Sequence, residues 1–305
     1  MAHLVFIHGL DNKPEADFLH QLWLRKLAHE DGLDLDTCAA SSAMSYWADV
    51  LYESPDTNLA AYESAVEHIE MLGAPDGSAI ALGALRSEDA ARMRRLAARF
   101  DIDLDNTIEE PIPPEELLAV RQERIPVPAW LRKRIMARFV KDAHYYFFNL
   151  EFQPRRDAAF HVRDELRRRF MEKVSAAADH PPVVVVAHSM GTIIAYDCLM
   201  HEPDCPVIDG FMTIGSPLGL DEVQDFFPLW TREDGFPAAK LRGPWINVYD
   251  PLDVVAGFDP CLANDFRRGG APVIEDIRED NWGNWRHSIS KYLQGKKLRT
   301  RLAQM

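Results

Sequence analysis

Residues 182–195 read PVVVVAHSMGTIIA, which predicts a buried strand, a sharp turn and a helix. The valines at residues 183–186 are typical of a strand buried on both faces, and the small and aliphatic residues after Gly191 favour a helix. Ser189 lies at the turn between them. A strand turns this sharply into a helix only where the residues two before and two after the apex are small, because larger side chains would collide. Ala187 and Gly191 occupy these positions, so we expect the Ser189 hydroxyl to be exposed above the edge of the sheet.

A simpler interpretation fits the same residues. An ordinary buried strand would be followed by a helix whose N-terminus is capped by the hydroxyl of Ser189, which is a common arrangement. The pattern of residues 187–191 also arises by chance in a chain of 305 residues, when alanine is allowed at its first position. A motif of this kind counts only in its structural context, and the strand before it and the helix after it favour a nucleophilic serine.

Composition limits the class of protein. Of the 305 residues, 47% are hydrophobic, so the chain can bury a sizeable core as a globular protein. The formal net charge of −14 argues against nucleic-acid binding, because phosphate contacts need a basic face. The cysteines are irregularly spaced and indicate neither a disulfide framework nor a zinc site: they are Cys38, Cys198, Cys205 and Cys261. We expect no metal and no cofactor.

The N-terminal residues bear on the location of the protein. Residues 1–9 lack a positively charged flank, and their short apolar run leads directly into a His-Gly pair. We therefore expect a strand there rather than a signal peptide. No apolar run approaches the ~18 residues that a membrane-spanning helix needs, so the expected location is the cytoplasm.

Strand and helix patterns alternate along much of the chain. Strands are predicted at residues 4–7, 33–40, 183–186, 207–214, 245–249 and 271–277. Helices are predicted at residues 14–29, 155–178 and 192–200. This alternation predicts an α/β protein with a doubly wound, mostly parallel sheet and a site at the carboxyl ends of the strands. Residues 1–40 and 151–305 would form this core.

Residues 41–150 differ in character, because helical periodicity replaces strand signals over most of the segment. We expect a large helical insertion that caps the strand ends, with exposed Trp130 and Phe139 providing an apolar acyl pocket. In one helix, Leu131, Ile135 and Phe139 are spaced four residues apart, and basic residues occupy other positions. That helix is either a lid that meets anionic amphiphiles or a membrane surface, or a helix packed on the core with a solvated basic face, which we favour.

A second loop is expected to approach Ser189. The predicted strand at residues 4–7 ends at residues 8–10, His-Gly-Leu, where the glycine allows the backbone to turn. The amide of Leu10 can then face the same space as the amide of Met190, which follows the serine at a helix N-terminus. Both amides would stabilise developing negative charge. The alternative is an ordinary loop glycine.

A serine hydroxyl becomes a good nucleophile when an imidazole takes its proton and a carboxylate orients that imidazole. The histidines after Ser189 are His201 and His287, and His287 alone follows both Asp250 and Asp253. These aspartates come after the predicted strand that is two beyond the serine, where the acid belongs. We prefer Asp253 because it lies farther along the loop, whereas Asp250 precedes a proline and can bond its own turn.

Other histidines near these motifs are interpreted as structural. His188 adjoins Ser189, so its side chain leaves the turn in another direction. His3 and His8 belong to the first strand and its end. His201 lies at a predicted helix end, where a cation is favourable.

With these residues the chain resembles the serine α/β-hydrolases of the lipase and esterase kind. The resemblance rests on residues 8–10, 187–191 and 215–217 together with Asp253 and His287. It implies an α/β-hydrolase fold in which Ser189 is the nucleophile, His287 the base and Asp253 the acid. It also implies that the amides of Leu10 and Met190 form the oxyanion hole. Residues 41–150 exceed the family's usual length between these strands.

The predicted function is that of a serine hydrolase that cleaves a small-molecule carboxylic ester, or another acyl compound, through an acyl-enzyme. Peptidases and thioesterases use the same three side chains, so both activities stay open. The alternative from another class is a protein that keeps the fold and binds a partner without turnover. The sequence predicts no oligomeric state.

Overall fold

The computed structural model describes residues 2–38, 40–57, 82–105 and 128–305. The strands in these ranges are β1 (His3–Ile7), β2 (Ser41–Ser45), β3 (Glu151–Arg155), β4 (Ala158–His161), β5 (Val183–His188), β6 (Gly210–Ile214), β7 (Trp245–Tyr249), β8 (Arg267–Arg268), β9 (Ala271–Pro272) and β10 (Ile274–Arg278). The α-helices are α1 (Ala16–Ala28), α2 (Ser87–Ala98), α3 (Ala129–Phe147), α4 (Val162–Ala177), α5 (Met190–His201), α6 (Asp221–Gln224), α7 (Ile289–Gln294) and α8 (Lys296–Leu302).

Six of these strands form a parallel sheet in the spatial order β10-β7-β6-β5-β1-β2, which confirms the predicted α/β architecture. The direction in which strands are added reverses between β1 and β5. Ile7 of β1 pairs with Ala187 of β5, so the loops after these two strands emerge side by side. Ligands of α/β proteins bind at such a reversal, outside the carboxyl ends of the strands.

Helices cover both faces of the sheet. Val184 and Val186 of β5 pack in one hydrophobic cluster with α1, α7 and α8. Val183 and Val185 point to the opposite face and pack in a second cluster with α2, α3, α4 and α5. The unbroken valine run follows from burial on both sides. Among the described helices, none is both long and apolar enough to cross a membrane.

Part of the predicted insertion packs into the core of the sheet. Strand β2 is the edge strand beside β1, so the sheet extends beyond the predicted boundary at residue 40. Phe139 of α3 is fully buried and meets the ring of Phe100 edge-on at 5.9 Å, so the prediction that Phe139 is exposed is wrong. Trp130 is half-buried. Residues 58–81 and 106–127 of the predicted insertion lie outside the described ranges.

Two predicted elements differ from the structure. In the segment predicted as a strand at residues 33–40, residues 35–38 form turns, and pairing with β1 starts at Ser41. The carboxylate of Asp34 accepts a hydrogen bond of 3.0 Å from the amide of Asp36, and such local bonds compete with strand pairing. The helix predicted from residue 155 begins at Val162, because the preceding residues form the β3–β4 hairpin.

Candidate active site

The turn from β5 into α5 has an unusual backbone at Ser189. Its φ is 52°, in the left-handed region, where a non-glycine residue costs about 1–3 kcal/mol. The Ser189 amide donates to the carbonyl of Ile214 over 2.9 Å and holds this conformation. A Cβ on Gly191 would lie 2.6 Å from the carbonyl oxygen of His8. A glycine is therefore needed for α5 to begin against the end of β1, as the sequence pattern predicts.

The side chain of Ser189 contacts a histidine and makes no capping bond to α5, so its interpretation as a simple helix cap is wrong. Its Oγ lies 2.9 Å from Nε2 of His287. Across the same ring, Nδ1 lies 2.8 Å and 2.9 Å from the two carboxylate oxygens of Asp253. The loops after β5, β7 and β10 thus bring a hydroxyl, an imidazole and a carboxylate together in hydrogen-bonding order.

Asp253 is buried and surrounded by donors. The amides of Val255 and Ala256 donate to its Oδ1 over 2.8 Å and 3.1 Å, and the hydroxyl of Tyr292 donates to its Oδ2 over 2.8 Å. Burial alone would raise the pKa of Asp253, but His287 and these hydrogen bonds lower it below its ordinary value. Asp253 is therefore a carboxylate at neutral pH, as the partner of an imidazole that becomes charged has to be.

Asp250 has other partners. Its carboxylate accepts hydrogen bonds of 2.7 Å from the amides of Leu252 and Asn281 and forms an ion pair of 3.1 Å with Arg286. These contacts connect the loop after β7 to the loop after β10. Of the two aspartates, Asp253 is the one that contacts the imidazole.

The loop after β1 lies directly against the serine. A Cβ on Gly9 would be 2.6 Å from the Cβ of Ser189, so a glycine is required where the two loops meet. Ser189 is fully buried here, and the predicted exposure of its hydroxyl is wrong. Leu10 follows in this loop, and Met190 begins α5. No backbone carbonyl among the described residues accepts a hydrogen bond from either amide.

His8 and Trp47 hold the base of this loop. Nδ1 of His8 donates to the carbonyl of Gly9 over 2.8 Å, and Nε2 accepts from the Trp47 amide over 2.9 Å. The indole stacks on the imidazole with ring centroids 4.6 Å apart and donates to the His8 carbonyl over 3.0 Å. Burial lowers the pKa of His8 far below its ordinary value, so the ring is neutral, in agreement with its one donor and one acceptor nitrogen.

His188 supports the main chain of His287. Its Nε2 donates to the His287 carbonyl over 3.0 Å, and the two ring centroids are 4.7 Å apart. Burial lowers the pKa of His188 far below its ordinary value, so this ring is neutral too. These contacts agree with the structural role that the sequence indicates for His188.

Two partners of the site carried no signal in the sequence. Tyr292 of α7 donates to Asp253, as described above. Arg138 of α3 forms an ion pair of 3.2 Å with Asp11, the residue after Leu10. The sequence interpretation placed the basic residues of this helix on a solvated face, but the side chain of Arg138 is only 18% exposed. Tyr292 is far from Asp253 in the chain, and Arg138 is far from Asp11, so a local motif does not predict either contact.

A cavity of about 40 Å³ adjoins His287 and the loop after β1. Its wall includes Gly9, Leu10, Ile135, Val255, Trp285 and His287. A water molecule needs about 10–15 Å³ of such space, so the cavity holds about three water molecules or another small group. Ile135 belongs to α3, and part of the predicted insertion therefore borders the site. Within the described ranges, no cluster of three or more His, Cys, Asp or Glu side chains could hold a metal ion.

Comparisons with known proteins contribute little. No family model matches the chain, and no curated protein matches it. Among solved structures, the esterase domain of a Rhodothermus marinus protein is similar over 45% of this chain and 66% of that domain, with 16% sequence identity. The TM-score of this match is 0.29, which is too low to support a fold or a function.

Proposed function

We propose that the protein is a serine hydrolase with an α/β-hydrolase fold, in which residues 41–150 contribute a cap, and that it cleaves a small carboxylic ester. One observation carries this proposal: Ser189 Oγ, the His287 ring and the Asp253 carboxylate are linked by hydrogen bonds of 2.9 Å and 2.8 Å. A hydroxyl in this arrangement can lose its proton as it attacks a carbonyl carbon.

The proposed reaction has two steps on the same residues. Ser189 Oγ attacks the ester carbonyl, His287 Nε2 takes the hydroxyl proton, and Asp253 stabilises the resulting imidazolium. The amides of Leu10 and Met190 donate to the oxyanion of the tetrahedral intermediate. His287 then gives the proton to the leaving alkoxide, and the alcohol departs. In the second step, water attacks the acyl-enzyme with His287 as base, and the acid and free Ser189 are released.

The left-handed backbone of Ser189 also supports a catalytic role. Strain of this kind persists where the surrounding structure enforces it, and it is concentrated at functional sites. In this chain, the close approach of Gly191 to β1 and of Gly9 to the serine enforces it. A protein that only binds a partner has no need for a strained serine hydrogen-bonded to a histidine.

The test is labelling with a fluorophosphonate probe together with assays on acetyl, butyryl and octanoyl esters, a peptide and a thioester. We expect the wild type to be labelled and to hydrolyse at least one ester. Ser189→Ala should lose labelling and several thousand-fold or more of its turnover, because residues of such a triad act as a unit. Ser175→Ala, at an exposed position of α4, is the matched control and should keep both. Labelling of Ser189→Ala would contradict the proposal, and a wild type without labelling or turnover would favour a binding protein.

A further inference from the structure

The loop that carries Leu10 is tied to helix α3 by an ion pair. The guanidinium of Arg138 lies 3.2 Å from Oδ1 of Asp11, across 127 positions of sequence. The side chains of Arg138 and Asp11 are 18% and 9% exposed. Burial would lower the pKa of Arg138, but the charge of Asp11 raises it above its ordinary value. The pair is therefore charged and largely shielded from water, where one partner without the other is costly.

Asp11 is also a strained point of the loop. Its φ is 69°, in the left-handed region that aspartate tolerates but seldom adopts. A residue in this conformation keeps it when outside contacts hold it. The Leu10 amide belongs to the Gly9–Leu10 peptide group, whose carbonyl accepts from His8, and the next peptide group is held by the Lys13 amine, which donates to the Leu10 carbonyl. The Arg138 contact is the part of this support that comes from α3.

The same helix borders the cavity. Ile135 lines it and lies three residues before Arg138, so the two side chains share one face of α3. Helix α3 therefore forms part of the wall of the cavity through Ile135, and it is bound to the loop after β1 through the Arg138–Asp11 ion pair. His8 and Trp47 hold the other end of the loop, where it leaves β1.

We infer that Arg138 is a positioning residue: through Asp11 it holds the Leu10 amide in the orientation that the oxyanion requires. The inference rests on the proposed function. An oxyanion donor acts only within about 2.7–3.1 Å of the oxygen, and loss of one donor costs about 10²–10³ in kcat. A loosened donor should cost less, about ten- to a hundredfold. We expect kcat to fall with KM nearly unchanged, because the hydrogen bond from the Leu10 amide to the oxyanion strengthens in the transition state.

The experiment compares Arg138→Met, Arg138→Lys and the exposed control Arg132→Met on the same helix. The concentration of active sites is titrated with the fluorophosphonate and used to calculate kcat. KM and the inhibition constant of a trifluoromethyl ketone are measured on the same samples. We expect Arg138→Met to lower kcat ten- to a hundredfold and to weaken the ketone, which forms a tetrahedral oxyanion, by a similar factor. Arg138→Lys should recover part of the loss, and Arg132→Met should resemble the wild type.

A purely structural role gives another result. Arg138→Met would then lower the fraction of titratable sites and the melting temperature, while kcat per titrated site and the inhibition constant of the ketone stay at wild-type values. This result would overturn the inference. Asp11→Asn and the double variant add a second check. If Asp11 and Arg138 act as a unit, the double variant is no slower than Arg138→Met, whereas multiplied losses contradict the inference. Absence of labelling in the wild type would instead refute the proposed function.

Discussion

The hydroxyl of Tyr292 donates a hydrogen bond of 2.8 Å to the Asp253 carboxylate and accepts one of 2.8 Å from the backbone amide of Asp250. Tyr292 thus joins the two aspartates between which the sequence left a choice. Burial, and then the charge of Asp253, raise the pKa of Tyr292 far above its ordinary value. The phenol therefore stays protonated and serves as a permanent donor to the carboxylate that faces His287.

Tyr292→Phe should impair both turnover and stability. Asp253 would lose one of its donors, and we expect kcat to fall roughly tenfold because the carboxylate holds His287 less firmly. The Asp250 amide would lose its acceptor, which costs about 1–3 kcal/mol. Kinetics and urea unfolding measure the two effects. Tyr196→Phe removes a buried hydroxyl bonded to the carbonyl of Gly235, so it should lose stability and keep kcat. Equal kcat in both variants would show that the Tyr292 bond has no part in turnover.

The two aspartates should respond differently to amide substitution. Asp253→Asn is expected to lower kcat on the order of 10⁴-fold, because the amide would favour the wrong tautomer of His287. Asp250→Asn breaks the ion pair with Arg286 and should mainly lower the melting temperature. Steady-state kinetics and thermal unfolding of the two purified variants test this. If folded Asp250→Asn proved the slower enzyme, the roles of the two residues would have to be exchanged.

Ile135 should limit the length of the acyl chain. The cavity of about 40 Å³ is far smaller than the roughly 150 Å³ that holds a benzene molecule, so we expect the wild type to prefer short acyl groups. Ile135→Ala should shift the preference to longer chains, with about 0.8 kcal/mol for each methylene that becomes buried. The shift in preferred acyl length is measured as relative kcat/KM on a series of esters with increasing acyl length. Leu131→Ala, one turn earlier and also buried, should lower stability and leave the profile unchanged. If the wild type, Ile135→Ala and Leu131→Ala all had the same acyl-length profile, Ile135 would not line the acyl site.

Asp265 should make stability depend on pH. Burial, and then the charge of Asp259, raise the pKa of Asp265 to about 6. The native state therefore holds this proton more tightly than the unfolded chain, where an aspartate has a pKa of about 4, so the stabilisation is complete below about pH 4 and is lost as pH rises from about 4 to about 6. Asp265→Asn should stabilise the protein at pH 8 by about 1–2 kcal/mol after allowance for solvent screening and loss of the Arg232 contact, and much less at pH 4. Thermal unfolding at both pH values tests this, and an equal shift at pH 4 and pH 8 would contradict it.

Local sterics and chain order made several features predictable from the sequence. The valine run and the small residues at Ala187 and Gly191 predicted the strand, the sharp turn and the helix, because these depend on neighbours within a few residues. The order of strands also placed Asp253 and His287 after the correct ones, since loops after parallel strands converge on one edge of the sheet. The boundaries of strands and helices were less predictable. In the segment predicted as a strand at residues 33–40, the Asp34 carboxylate accepts a local hydrogen bond that hydrophobic periodicity does not reveal.

Residue patterns along the chain were thus enough to predict the α/β architecture and a short set of candidate residues around Ser189. The packing of the folded chain was needed to show which aspartate faces His287, that Ser189 is buried against Gly9, and that Phe139 belongs to the core. The ion pair between Arg138 and Asp11 likewise follows from this packing. The physical reason is that these contacts depend on how α3 and the strand ends pack against each other in space, whereas a sequence pattern records only the spacing along one element.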